Sequence, residues 1–177
     1  MGAFKSPASV LRIVAAFSRH DEALAWGRQK LVEAWGPVAL ESAAFPFVDS
    51  NYYDASMGTG IKKTFWAFES PADPAGLADW KQQTNAWEEE LAARGSFPEA
   101  RPLNLDPGYL TLAKLVLAST KDYAHRIYLR DNIYAELTLF WRRGGWEGHQ
   151  WTFPDYRRPE YHRFFTHCRE YLHGRNP

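Results

Sequence analysis

The sequence predicts an α+β fold: an antiparallel sheet with a ferredoxin-like (βαββαβ) core, extended by a C-terminal β-hairpin and a final helix. Short apolar runs and amphipathic helical patterns alternate in the order βαββαβ over residues 10–105. A pattern typical of a hairpin comes next, and a helical pattern ends the chain. No linker or internal repeat interrupts the 177 residues, so we expect a single domain over residues 1–177.

The βαββαβ unit is predicted from the spacing of apolar residues and from the residues that stop each element. The run VLRIVAAF is typical of a buried strand, and the helix after it stops at Gly36 and Pro37. A second helix begins near Pro74 and ends before Gly95. We expect both helices on one face of the sheet. The predicted strands are 10–17, 38–47, 61–69 and 101–105, and the predicted helices are 21–35 and 74–94.

Residues 104–109, with the sequence NLDPGY, have the composition of a turn, because Asp, Pro and Gly follow one another. We expect a helix at 109–120 after this turn. The turn would hold Asn104 and Asp106 at the end of a strand. Asp106 then either caps the helix or belongs to a functional site, and the sequence leaves both interpretations open.

The next segment predicts a hairpin whose register follows from its apolar residues. Apolar residues alternate from Ile127 to Leu139, and a three-residue loop at 130–132 keeps the two strands in phase. The resulting cross-strand pairs are Leu129 with Ile133, Ile127 with Ala135, Tyr128 with Tyr134, and Arg126 with Glu136. The charged pair is either an exposed salt bridge or, if that face is covered, a buried pair whose disruption costs about 3–5 kcal/mol.

The C-terminal part predicts a further strand at 149–153 and a helix from 159 to about 173. Cys168 is the only cysteine, which excludes an intrachain disulfide and a Cys-rich zinc site. Its position on the apolar face of this helix favours packing over a catalytic role. That apolar face consists of Tyr161, Phe164, Phe165, Cys168 and Leu172.

Charge and hydropathy exclude other classes of protein. The formal net charge is zero, so nucleic acid is not the expected partner. Residues 101–177 carry 12 Lys and Arg against 8 Asp and Glu, which points weakly to an anionic ligand. No apolar run approaches the ~18 residues of a membrane helix. Together with the single cysteine, this composition indicates a cytoplasmic protein that does not enter a membrane.

Four segments resemble an uncharacterised bacterial family, domain of unknown function 4416. They are FPFVDSNYYDASMG (45–58), RPLNLDPGYLTLAKLVLASTKDYAHRIYL (101–129), NIYAELTLFW (132–141) and WTFPDYRRPEY (151–161). Members of the family often have Glu where this chain has Ser56. The resemblance implies a bacterial source and a shared site, without an established activity. The chain lacks the phosphate-binding G-x-x-x-x-G-K-[ST] motif, so its sequence does not support a GTP-binding role.

The leading hypothesis is a site for a small ligand that carries phosphate or carboxylate, acting by binding or by metal-assisted catalysis. Asp106 and Glu136 are the candidate catalytic residues, as a general base or as ligands of a hard metal, for which Mg²⁺ is the expected ion. Arg and Lys side chains would hold the anion. The candidate ligand-binding residues are Arg101, Asn104, Lys121, Arg126, Tyr52 and Tyr53. Convergence of these side chains in one cleft would distinguish this hypothesis.

Two alternatives involve macromolecular partners. A non-catalytic protein-interaction module would present an exposed aromatic patch. An RNA-binding module would stack bases on Tyr128 and Tyr134, beside Arg126 and Arg130. The neutral charge weighs against the RNA-binding alternative. The aromatic residues expected in the protein-binding patch are Tyr52, Tyr53, Trp146 and Trp151.

Overall fold

A computed structural model describes residues 6–175, which form one antiparallel sheet with helices on both of its faces. The strands are β1 (Leu11–Ser18), β2 (Val38–Glu41), β3 (Phe45–Pro46), β4 (Lys62–Phe68), β5 (Asn104–Leu110), β6 (Lys114–Ser119), β7 (Arg126–Arg130), β8 (Ile133–Arg142) and β9 (Gly145–Glu147). The helices are α1 (Asp21–Trp35), α2 (Asp54–Met57), α3 (Leu77–Ala93) and α4 (Pro159–Arg175). The α+β class and the antiparallel sheet are thereby confirmed.

The strands follow the order β2-β4-β1-β5-β6-β8-β7 across the sheet, with β3 beside β4 and β9 beside β8. Strand β1 is central because its sequence is apolar on both faces. Val14 and Ala16 face α1 and α3, whereas Ile13 and Ala15 face α4. The two helices of the predicted βαββαβ unit, α1 and α3, therefore lie on one face, as expected. Helix α4 covers the second face with the apolar residues that its sequence pattern predicts.

The predicted turn at 104–109 and helix at 109–120 are wrong. Residues 104–110 form β5, which turns back into β6, and the Thr111 hydroxyl accepts the backbone N–H groups of Ala113 and Lys114 in that turn. The run KLVLAS of β6 is buried on both faces, so it lacks the alternation that identifies a strand. Pro107 is tolerated in β5 at the point where pairing with β6 ends.

The hairpin of β7 and β8 confirms three of the four predicted pairs: Ile127 with Ala135, Tyr128 with Tyr134, and Arg126 with Glu136. The pairing of Leu129 with Ile133 is wrong, because the register shifts and Arg130 pairs with Ile133 instead. The loop has two residues, not three. These are Asp131 and Asn132, both with positive φ, at 52° and 60°, as a tight hairpin turn requires.

The apolar face predicted for this hairpin is broken by a bulge. Val116 pairs with Leu137 and Leu115 with Leu139, so Thr138 is the extra residue in β8 and the side chains after it change faces. Ile127 is 71% exposed, because the edge strand β7 extends beyond the core.

The strand predicted at 149–153 is also wrong. Strand β9 ends at Glu147, and a compact turn follows in which the Thr152 hydroxyl accepts the His149 N–H at 2.9 Å. Within residues 6–175, no helix combines the length and the apolar character needed to cross a membrane.

Candidate functional site

A cleft opens in the middle of the sheet where β5 and β6 separate. The two strands pair only between Gly108–Leu110 and Leu115–Leu117, although both continue beyond these residues. Gly108 lies at the closest approach: a Cβ there would be 2.3 Å from the Val116 carbonyl oxygen, so only glycine fits. Beyond Gly108 the strands diverge and leave a cavity of about 410 Å³, within the range of small-ligand pockets.

All eight side chains proposed from the sequence line this one cavity. They arrive from separate elements: the loop before α2, strand β5, and the ends of β6, β7 and β8. Four of them, Asn104, Asp106, Arg126 and Glu136, converge because alternate residues of neighbouring strands share the sheet face opposite α1 and α3. The eight are Tyr52, Tyr53, Arg101, Asn104, Asp106, Lys121, Arg126 and Glu136.

Asp106 is held by two hydrogen-bond donors. Lys81 from α3 reaches through the cleft to Oδ1 at 2.9 Å, and the Asn104 amide donates to Oδ2 at 2.9 Å. Burial alone would raise the pKa of Asp106, but the Lys81 charge and the two hydrogen bonds outweigh it, so the pKa is lowered. Asp106 is therefore a carboxylate at neutral pH and does not cap a helix.

Glu88 of α3 joins the same network. One carboxylate oxygen accepts the Leu105 N–H at 2.7 Å and the other accepts from Arg101 at 3.2 Å. Burial raises the pKa of Glu88, although nearby Lys81 opposes this shift. Arg101 also donates to the Asn104 Oδ1 at 2.5 Å. The chain Arg101, Asn104, Asp106 and Lys81 thus forms one continuous polar wall of the cavity.

Glu136 and Arg126 form the opposite wall. The Arg126 Nε donates to Glu136 Oε2 at 2.9 Å, and the two side chains are 11% and 2% exposed. The interpretation of this pair as an exposed salt bridge is therefore wrong. Arg126 also donates to the Lys121 carbonyl oxygen at 3.0 Å, which fixes the loop at the rim. His125 lies 3.5 Å from Glu136 and stacks on Trp151, and burial lowers its pKa.

The rim is formed by Tyr52 and Lys121, and Tyr53 lies deeper. Lys121 is exposed, donates to the Tyr52 hydroxyl and lies over the Tyr52 ring. Tyr53 packs against Phe17 and Phe47, and burial raises the pKa of its phenol. The phenol of Tyr53 is therefore protonated at neutral pH and available as a hydrogen-bond donor.

The floor holds an ion pair that sequence reasoning missed. Lys63 of β4 donates to Asp155 Oδ2 at 2.5 Å, and both side chains are buried and line the cavity. Burial lowers the pKa of Lys63, although Asp155 opposes this shift. A signal was available: Lys63 occupies an inward position between Ile61 and Phe65 in an alternating strand. Lys81 likewise lies four residues after Leu77 on the buried stripe of α3.

Metal ligation by Asp106 and Glu136 stays a prediction. No group of three or more His, Cys, Asp or Glu side chains within the described part of the chain has a geometry suited to a metal ion. Both carboxylates already accept hydrogen bonds from cationic side chains, Lys81 and Arg126.

The model of a family described as Domain of unknown function (DUF4416) matches residues 8–171. The chain belongs to this family. Neither the curated proteins nor the solved structures give a significant match.

The segments that resemble the DUF4416 family surround the cavity. Each of the four contributes lining residues, among them Phe47 and Tyr53 from the first, Arg101 and Arg126 from the second, Glu136 from the third, and Phe153 and Tyr156 from the fourth. Ser56 is not among the lining residues, and its carbonyl oxygen accepts the Arg101 N–H at 2.9 Å.

The aromatic residues proposed for protein or RNA binding are divided by the fold. Trp146 is buried against α4, so its place in an exposed patch is wrong, whereas Trp151 and Tyr52 are exposed. Tyr128 and Tyr134 share a face, but their rings pack edge to face on each other. Arg130, expected beside them, is bound by Asp79 and Asp131.

Proposed function

We propose that this protein binds a small anionic molecule, one that carries a phosphate or a carboxylate group, in the cavity between β5 and β6. Among residues 6–175, five cationic side chains line the cavity, against four carboxylates. The cavity is large enough for a sugar phosphate or a similar metabolite. Its aromatic lining also favours a ligand with an apolar or planar part. These aromatic residues are Phe17, Phe47, Tyr52, Tyr53, Phe153 and Tyr156.

The observation that carries this proposal is the position of Lys121 at the rim, where it has no salt-bridge partner among residues 6–175. Its ammonium group lies at the rim and contacts Tyr52, and no carboxylate within residues 6–175 forms a salt bridge with it. A ligand anion would supply the missing charge partner. The other four cations have carboxylate partners within the protein: Lys63 has Asp155, Lys81 has Asp106, Arg101 has Glu88, and Arg126 has Glu136.

Metal-assisted catalysis is the enzymatic form of this proposal. Asp106 or Glu136 would act as general base or as a ligand of Mg²⁺. A metal ion would have to displace Lys81 from Asp106 or Arg126 from Glu136. A ligand whose binding requires Mg²⁺ or Mn²⁺ would support this form, and a metal-independent ligand would favour binding alone.

A ferredoxin-like core and a bacterial, cytoplasmic setting belong to the same proposal. Strand β4 lies between β1 and β2, and β1 lies between β4 and β5, so each βαβ unit is split by a strand of the other. This arrangement supports the ferredoxin-like assignment. The buried free thiol of Cys168 suits a reducing compartment.

A thermal-shift screen of the full chain tests the anion proposal. The probes are inorganic phosphate, sugar phosphates, nucleotides and small carboxylates, each with and without Mg²⁺ or Mn²⁺. A ligand at about 100 times its Kd adds ~2.7 kcal/mol to the free energy of unfolding. For a chain of this length, that stabilisation raises Tm by roughly 5–11 °C.

Lys121→Gln supplies the decisive variant. Because Lys121 is exposed, we expect an unchanged Tm without ligand and an affinity that falls about tenfold or more. Lys114→Gln is the matched control, since Lys114 is exposed at the other end of β6. Equal affinity of both variants and the unmodified protein would remove Lys121 from the site.

A protein-interaction role is the second candidate, and the edge strand β7 favours it. Ile127 and Leu129 of this strand and Leu137 beside it are exposed apolar residues at an unpaired sheet edge. A screen without any stabilising ligand, on folded protein, would favour this role. Sedimentation at increasing protein concentration would then show self-association that Ile127→Lys abolishes.

A further inference from the structure

Lys63 has an environment that a purely structural cation does not need. The side chain is 1% exposed and lines the floor of the cavity. Its ammonium has one oxygen partner, Asp155. Its remaining neighbours are aromatic rings, the nearest of which are Tyr156 at 3.9 Å and Phe17 at 4.4 Å from Nζ. Rings attract a cation but do not accept its protons as oxygen atoms do, so this site favours a neutral amine more than an oxygen-lined one would.

Asp155 is placed to exchange a proton with that amine. Its Oδ2 accepts from Lys63 at 2.5 Å, and no other side chain of residues 6–175 donates to this carboxylate. Asp155 lines the cavity as well, so a bound ligand could meet the amine and the carboxylate together. Desolvation is what activates a lysine amine toward carbonyl groups, and the Asp155 carboxylate lies where it can take up the proton that the ammonium loses.

We infer that Lys63 is a nucleophile that forms an imine with a small anionic carbonyl compound bound in the cavity. This inference rests on the proposed anion site, which would hold the phosphate or carboxylate of the compound near Lys121. The expected substrates are therefore 2-oxo acids and phosphorylated aldehydes or ketones. Burial lowers the pKa of the amine, which increases its neutral, reactive fraction.

The reaction balances without an oxidant or a reductant. Asp155 takes a proton from the Lys63 ammonium, and the neutral Nζ attacks the carbonyl carbon. A C–N bond forms while the carbonyl π electrons move to oxygen, and one of the two protons on nitrogen passes to that oxygen to give a hydroxyl. Asp155 then returns its proton to the hydroxyl, which leaves as water while the nitrogen lone pair forms the C=N bond, and the last proton stays on nitrogen. One lysine ammonium and one carbonyl compound thus give one protonated imine and one water, with the Asp155 carboxylate regenerated.

Reductive trapping tests this inference. The full chain is incubated with pyruvate, glyoxylate or dihydroxyacetone phosphate in the presence of sodium cyanoborohydride, which reduces an imine to a stable secondary amine. Tandem mass spectrometry then locates the adduct, with fragmentation between residues 62 and 63. We expect labelling of Lys63 to exceed that of the partly exposed Lys62 by about tenfold or more, because bound and aligned reactants have a high effective concentration.

Three controls separate a built site from random labelling. Acetone, a carbonyl compound without charge, should label Lys63 no faster than Lys62. Lys121→Gln should slow labelling of Lys63 while the lysine itself is retained. Lys63→Met should abolish the main adduct, and Lys63→Met/Asp155→Asn repeats this test in a protein without an unpaired buried carboxylate.

The outcomes distinguish this inference from the proposed function. Anions that raise Tm, combined with labelling confined to exposed lysines or no labelling by any of the three probes, would overturn the imine and keep the anion site. Absence of both stabilisation and labelling would overturn both. Saturable labelling of Lys63 that inorganic phosphate competes away would support both.

Discussion

Two buried lysines meet the same cavity, and their surroundings differ. Lys81 has three oxygen neighbours: the Leu105 carbonyl at 3.0 Å, Asp106 at 2.9 Å and Glu88 at 4.0 Å. Lys63 has one oxygen neighbour, Asp155, and otherwise contacts aromatic rings. An ammonium group has three protons to donate. Lys81 donates two of them and has a third oxygen nearby, whereas Lys63 donates one.

This difference separates a structural charge from a reactive one. Lys81 neutralises Asp106 and lies close to Glu88, two carboxylates that the fold brings together from β5 and α3. Removing it leaves Asp106 without its cation and Glu88 with Arg101 alone. Lys63 serves a single carboxylate and is itself desolvated, so the pair contributes less to stability while the amine stays poised for chemistry. Stability measurements on the two lysines can therefore test the assignment.

The largest expected effect is that of Lys81→Met. Removing this ammonium leaves Asp106 in a covered site without its cation and leaves Glu88 with Arg101 alone, and such losses cost about 3–5 kcal/mol. Chemical denaturation followed by tryptophan fluorescence measures the free energy of unfolding. Lys62→Met is the control, because its pair with Asp21 is exposed and is expected to change stability by less than ~1 kcal/mol. Equal effects of the two variants would contradict the structural role of Lys81.

A smaller effect is expected when both members of the second pair are replaced. Lys63→Met/Asp155→Asn removes two desolvated charges and places a thioether among aromatic rings, a favourable contact. We expect the free energy of unfolding to stay within about 1 kcal/mol of the unmodified protein. A loss comparable to that of Lys81→Met would show that the two lysines share one structural role.

The fold was predictable where local patterns agree with tertiary packing. The pairing of Arg126 with Glu136 follows from apolar spacing, and the bounds of α1 follow from apolar spacing together with the Gly36-Pro37 stop. The segment 104–120 was not predictable in this way. Its Asp-Pro-Gly sequence is typical of a turn, yet Gly108 lies in β5. Glycine is required there because the backbone of β6 approaches too closely for a side chain. Long-range pairing overrides local turn propensity there.

The site was predictable in part for the same reason. Polar residues placed on strands by their spacing line one cavity, although their roles stay predictions. Lys63 and Asp155 are 92 residues apart in sequence, and their contact depends on how the segment after β9 packs against β4. A single sequence does not pair such residues, and charged side chains are usually exposed. Only the inward strand position of Lys63 indicated its burial.

The smallest expected effect concerns how the free energy of unfolding depends on pH. We expect this dependence to differ between the unmodified protein and Lys63→Met/Asp155→Asn. Burial lowers the pKa of Lys63 in the folded protein below its ordinary value of 10.5. At pH values between the folded pKa and 10.5, the unfolded chain therefore binds more protons than the folded protein. The free energy of unfolding contributed by this group therefore rises with pH across that interval and is lost as pH falls through the folded pKa. Its slope cannot exceed about 1.4 kcal/mol per pH unit.

Denaturation at several pH values from 8 to about 10 should show the unmodified protein gaining stability relative to the double variant. Cys168 and the buried tyrosines, whose pKa values are raised, lose stability at high pH in both proteins and largely cancel in the difference. A difference that stays flat or falls would mean that Lys63 keeps its proton as firmly as an exposed lysine, and its distinction from Lys81 would then lose its chemical basis.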